Sequence, residues 1–121
     1  MNALIALLVS ACVAVESGNN AAAIGDNGQA VGILQIHPAC IQDVNRFGDK
    51  VYTLEDRTDR EKSIEIFTAY LTHYGRAYER RTGKKPTAEV LARIWNGGPR
   101  GYAKTATLPY WRKVQAAMKK K

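Results

Sequence analysis

Apolar positions recur along this chain mostly at the three- and four-residue spacing of helices, and glycine clusters separate the runs. From about Asn2 to Glu16 nearly every residue is apolar or small, which predicts a buried, amphipathic-to-apolar first helix, stopped at Gly18-Asn19-Asn20. Residues 18–37 are rich in Gly and Asn. Asp26-Asn27-Gly28 is a tight-turn signal and Val31 to Ile36 a short apolar run, leaving room for a loop or a minimal hairpin. A second helix is predicted from Pro38, with His37 at its start, to Gly48. Thr58-Asp59-Arg60-Glu61 reads as a capping box opening the longest helix. That helix puts Ile64, Phe67, Leu71, Tyr74 and Tyr78 on one face and closes at Gly83. Thr87 caps a fourth helix carrying Val90, Leu91, Ile94 and Trp95, which Gly97-Gly98-Pro99 terminates. The last helix spans about Pro109 to Met118, burying Trp111, Val114 and Met118, with a Lys tail at the negative end of its dipole. The expected fold class is mainly α: a single domain over residues 1–121, about five helices with one Gly-rich loop or minimal hairpin.

Composition narrows the class. A chain of 121 residues with 45% apolar and 24% charged residues can bury one core and is not a disordered tail. No apolar run reaches the roughly 18–20 residues of a membrane span. Val9-Ser10-Ala11-Cys12 resembles a lipoprotein cleavage box, but no basic residue precedes the apolar stretch, so the segment reads as a helix rather than a signal. Cys12 and Cys40 either meet, if the first two helices pack together, or remain buried thiols. His37 and His73 are isolated, with no metal-ligand spacing, and neither a phosphate loop nor a Ser-His-Asp set is present, so no metal or cofactor is expected.

Charge adds a second theme. The net charge is +7, yet residues 1–40 contain no Lys or Arg and carry −2, whereas residues 76–121 carry +11. Such a surface either concentrates polyanions (nucleic acid, anionic lipid, anionic wall polymers) or is a solvated face that maintains solubility. No DNA- or RNA-binding motif accompanies it, and no specific nucleic acid partner is expected.

Candidate chemistry lies where charge is thinnest. Glu16 ends an apolar helix with no basic residue within twenty positions on either side. Desolvation favours the neutral carboxyl and raises its pKa, which suits a general acid near neutral pH. The alternative is a Glu that merely caps or solvates a helix end. Asp26 likewise has two readings, a water-positioning base or an Asx-turn carboxylate bonded to its own backbone.

Glu16-Ser17-Gly18, Gly25-Asp26-Asn27-Gly28, Gly32-Ile33-Leu34-Gln35-Ile36 and Trp95-Asn96-Gly97-Gly98-Pro99 together resemble the lysozyme-like superfamily, in particular goose-type lysozymes and soluble lytic transglycosylases. The resemblance implies that Glu16 is the catalytic acid. It also implies that Gln35 lines the sugar cleft, that Trp95 and Asn96 form the opposite wall, and that Thr107 to Tyr110 supplies a tyrosine close to the acid. It places Ser17, Gln35, Trp95, Asn96 and Tyr110 on the substrate side and runs in order from Glu16 to Tyr110. Three positions depart from the pattern. Trp95 stands where the family usually has Tyr, Ala30 where chicken-type lysozymes have Asp, and His37 where goose-type enzymes often have Asp. The second carboxylate is therefore Asp26 or none.

The expectation is a monomeric muramidase acting at the bacterial cell wall, cleaving the β-1,4 bond after N-acetylmuramic acid in peptidoglycan glycan strands. Its alternatives are a lytic transglycosylase on the same substrate, giving 1,6-anhydro products, and a silent basic module binding wall or nucleic acid.

Overall fold

Asn2 opens the first helix by accepting hydrogen bonds from the backbone N–H of Leu4 (2.7 Å) and Ile5 (3.3 Å), as an N-cap should. The computed structural model describes residues 2–120. Its elements are α1 (Ala3–Ser17), a short antiparallel hairpin of β1 (Ile24–Gly25) and β2 (Ala30–Val31), α2 (Pro38–Phe47), α3 (Arg60–Thr82), α4 (Ala88–Gly97) and α5 (Leu108–Lys119). Strand register pairs Ile24 with Val31 and Gly25 with Ala30, so Asp26 to Gln29 form the connecting turn. The mainly α class with a minimal hairpin is thus the observed fold.

Helix α1 packs on α5, α4 and α3, while α2 packs on α3. The core between them holds Ile5 and Leu8 of α1, Ile33 and Leu34 of the segment after β2, Phe67 of α3 and Ile94 of α4, all essentially inaccessible. Because Ile33 and Leu34 are anchored there, the hairpin is pinned against the helices by the same apolar burial that holds the bundle.

Four expectations need correction. Helix α1 is not buried all round: Leu7 is 56% exposed and Ala3, Ala6, Ser10 and Ala14 face outward, since only one side of the helix has neighbours. Helix α3 is capped by Asp59, whose side chain accepts from the Lys62 N–H at 2.9 Å. Thr58 already belongs to a 3₁₀ turn over Leu54–Thr58, where its hydroxyl donates to the Glu55 carbonyl; the true capping box is Thr53 with Asp56 at the start of that turn. The inward face of α3 is Ser63, Ile66, Phe67, Tyr70, Leu71 and Gly75, with Ile64, Tyr74 and Tyr78 only half-buried, because α1 and α4 cover a stripe rotated from the one the spacing suggested. On α5, Tyr110 and Val114 are buried, and Trp111 and Met118 are half-buried.

The two thiols are free. No helix among the described residues is long and apolar enough to cross a membrane.

The 3₁₀ turn carries a residue with no counterpart in the sequence reading. Arg57 is buried, and its guanidinium donates to the carbonyls of Leu54 (2.9 Å), Gln29 (3.0 Å) and Ile36 (3.1 Å). It therefore fastens both ends of the β2 segment to the turn before α3. Arg57→Ala leaves those carbonyls without their donor and is expected to cost about 2–4 kcal/mol. Denaturant unfolding checks this; a loss below about 0.5 kcal/mol would mean that water replaces the guanidinium.

Candidate active site

The end of α1 sets the position of Glu16. Gly18 adopts the left-handed conformation (φ 64) and stops the helix one residue after Ser17, leaving Glu16 in the final turn. The Ser17 hydroxyl donates to the Ile33 carbonyl at 2.8 Å and accepts from the N–H groups of Asn19 and Asn20, both at 3.1 Å. Ser17 is thus a brace that ties the helix end to the segment following the hairpin.

That segment is held tightly. Gly32 has φ 89, and a Cβ there would fall 1.8 Å from the Arg57 carbonyl oxygen, so conformation and space both require glycine. Gln35 follows at φ 51, and its Nε2 donates to the carbonyls of Ala23 (3.1 Å) and Gly32 (3.0 Å). Its amide hydrogens are spent within the loop.

The opposite wall comes from the end of α4. Trp95 packs edge-on against Phe67 (centroids 4.8 Å apart) and Tyr70 (5.4 Å), which fixes the indole plane. The chain beyond it is locked by Thr107, whose hydroxyl accepts from Arg93 Nε at 2.8 Å and faces the carbonyls of Gly101 and Lys104, each at 2.8 Å. The Thr-x-x-Tyr element therefore supports the wall through its threonine.

Between the walls lies a cleft of about 270 Å³ lined by Glu16, Asp26, Ala30, Gln35, Ile36, His37, Cys40, Tyr70, Trp95 and Asn96. It unites Glu16, Asp26, Gln35, Trp95 and Asn96, which the sequence singled out. Ser17 and Tyr110 do not line it. Ser17 braces the loop, and Tyr110 is buried. Sequence reasoning missed Tyr70 and Cys40 as lining residues, and gave His37 a helix start and a place where goose-type enzymes often have Asp, but no role in the cleft. For His37 the signal was adjacency to the Gly32–Ile36 run; for the others it was the packing of α2 and α3.

Electrostatics single out Glu16. Burial raises its carboxyl from the usual 4.5 to about 7, against the opposing pull of the Tyr110 hydroxyl and the Trp95 indole N–H. Tyr110 is itself pushed well above the ordinary tyrosine value by burial and by its neighbours Cys12 and Glu16. Among the described residues its hydroxyl is the buried side-chain oxygen without a hydrogen bond of regular geometry, so it is free to follow the charge state of Glu16. Burial also lifts both thiols, Cys12 and Cys40, to about 12, which keeps them protonated and poor nucleophiles. Asp26 and His37 face each other, Nε2 to Oδ2 at 3.5 Å, at the open side.

A raised carboxyl pKa has a stability signature. Between pH 4.5 and about 7 the folded chain holds a proton on Glu16 that the unfolded chain has released, so stability falls as pH rises through that window. The loss above the window is on the order of 3 kcal/mol. Glu16→Gln removes this dependence and is expected to be the more stable protein at pH 8, its advantage shrinking toward pH 5. Denaturant midpoints at both pH values test it; parallel behaviour of the two proteins would mean an ordinary carboxyl.

Comparison with known proteins supplies an independent view. The family model described as the transglycosylase SLT domain matches residues 2–115. Lysozyme 1 of Crassostrea virginica is 51% identical over 43 residues, which is 36% of this chain and 23% of that protein, so the similarity spans less than a quarter of the relative's length. Among solved structures, a chain in the crystal structure of Aeromonas hydrophila PliI in complex with Meretrix lusoria lysozyme superposes with a TM-score of 0.73 at 25% identity. The superposition covers 91% of this chain and 87% of that one.

Proposed function

The chain belongs to the transglycosylase SLT domain family of the lysozyme-like superfamily, and on that footing we propose that it degrades peptidoglycan, cleaving the β-1,4 bond after N-acetylmuramic acid by general acid catalysis. The observation that carries the reading is Glu16, a carboxyl held near pKa 7 in a cleft with an aromatic and amide wall. At neutral pH a useful fraction is protonated, and the proton passes to the glycosidic oxygen as its bond to the anomeric carbon breaks. Trp95 offers an aromatic face to a sugar ring and Asn96 an exposed amide at the cleft edge. Tyr110, behind Glu16, steadies the carboxylate left after proton transfer.

Two fates remain for the sugar cation. In an inverting hydrolase a second carboxylate about 6.5–9.5 Å from the acid activates water on the other face. Asp26 shares the cleft with Glu16 and has an exposed carboxylate, which supports this reading. In a lytic transglycosylase Glu16 takes back a proton from the substrate's own hydroxyl and an anhydro ring closes. The matched family model favours that second reading. Mass analysis of muropeptides released from purified peptidoglycan tests both: reducing muramic ends support hydrolysis, products one water lighter support transglycosylation, and no release overturns the enzyme reading in favour of a binding module.

Among the described residues, no Lys or Arg lines the cleft. The basic surface therefore recruits an anionic wall rather than contributing to bond cleavage. Wall binding should weaken steeply with salt while cleavage of a short neutral chito-oligomer changes little. Equal salt sensitivity on both substrates would put the charge inside the catalytic step.

A further inference from the structure

Two features of His37 are unexplained by packing. It stands at the N-cap of α2 (φ −87, ψ 154), where short oxygen-bearing side chains are favoured because they satisfy an orphan N–H, yet its side chain makes no capping bond. The ring instead brings Nε2 to 3.5 Å from Asp26 Oδ2. Asp26 and Asn27 are both left-handed (φ 50 and 55), the tight-turn conformation that Asp and Asn enter readily before a glycine. The turn thus presents Asp26 to the cleft, and His37 gives up a cap to meet it.

The cleft's other residues leave Asp26 no alternative partner of opposite charge. Glu16 comes from α1, Cys40 from α2, Tyr70 from α3, and Trp95 and Asn96 from α4; among the described residues, His37 is the one lining group able to carry positive charge. An aspartate whose side chain is 64% exposed rotates freely unless something holds it. A base that rotates is seldom aligned with its water, and misplacement on the scale of 1 Å costs about a hundredfold in rate.

We propose that His37 is the positioning residue for Asp26, its Nε2–H engaging Oδ2 so that the second carboxylate oxygen stays available to the nucleophilic water. The inference rests on Asp26 being the base. In the step it serves, the water oxygen bonds to the anomeric carbon and one water proton passes to the free Asp26 oxygen. The bond to the leaving oxygen breaks as that oxygen takes the Glu16 proton, and His37 keeps its own proton throughout.

A double-mutant cycle on the full chain tests it, with kcat and KM measured on a chito-oligomer. His37→Ala should lower kcat about 10- to 100-fold with KM within about twofold. His37→Gln, which retains an N–H donor, should restore most of the rate, and neither change should add to the loss in an Asp26→Asn background. If Asp26→Asn alone is fully active, the base reading fails and this inference goes with it. If Asp26→Asn is impaired while His37→Ala is active, or while the two losses multiply, the base reading survives and the positioning role is overturned. A loss that falls on KM, or that glutamine does not repair, overturns it as well. Equal thermal midpoints confirm that each variant is folded, which half-exposed His37 should allow.

Discussion

Glu16→Gln is expected to reduce lysis of purified cell walls by at least about a hundredfold, the scale of lost acid catalysis. The substitution keeps the shape of the side chain and its hydrogen-bonding capacity, so the neighbours Tyr110 and Trp95 retain a partner. What it removes is the transferable proton. The variant should fold as well as the parent, and better above pH 7, because it no longer buries a group that ionises there. Stability gained while activity is lost is the combination expected of a functional carboxyl held in an unfavourable site. Turbidity loss of a wall suspension measures the activity, and a folded variant within about threefold of the parent would rule out Glu16 as the acid.

Asp26→Asn decides the reaction type. Asparagine tolerates the left-handed conformation that position 26 requires, and it keeps the turn's local bonds, so a loss would report chemistry more than folding. As the base of an inverting hydrolase, Asp26 should contribute roughly 10²–10⁴ in rate. The parent should then release reducing muramic ends, detected by borohydride reduction before mass analysis. An active Asp26→Asn variant would make Asp26 a turn residue. Anhydro products from the parent would establish the transglycosylase chemistry, in which Glu16 acts alone.

The order and type of the helices were legible in the sequence because their signals are local. Gly18, Gly48 and Gly83 end helices by allowing backbone conformations or approaches that are settled within one turn, and Thr87 caps α4 through the Val90 N–H three residues on. Glu16 was legible for a related reason: an isolated carboxylate closing an apolar helix predicts desolvation wherever that helix packs. The start of α3 was misplaced by one residue because Thr58, an acceptable cap by type, was already committed to the preceding 3₁₀ turn.

Local chemistry thus determined the five helices, the turn at Asp26 and the candidate acid, since each depends on residues close by along the chain. Tertiary structure decided which groups surround that acid. Arg57 reaches Gln29 across 28 positions, Ser17 reaches Ile33 across 16, and Tyr110 comes from the last helix to lie beside Glu16. It also separated the roles of residues that resemblance had grouped together, placing Gln35, Asn96 and Trp95 on the cleft while setting Ser17 and Tyr110 behind it. The pairing of His37 with Asp26 belongs to this second kind. A hairpin and a helix start meet there because buried Ile33 and Leu34 pull the intervening segment into the core. No pattern of spacing along the chain encodes which side chains such a fold will bring face to face.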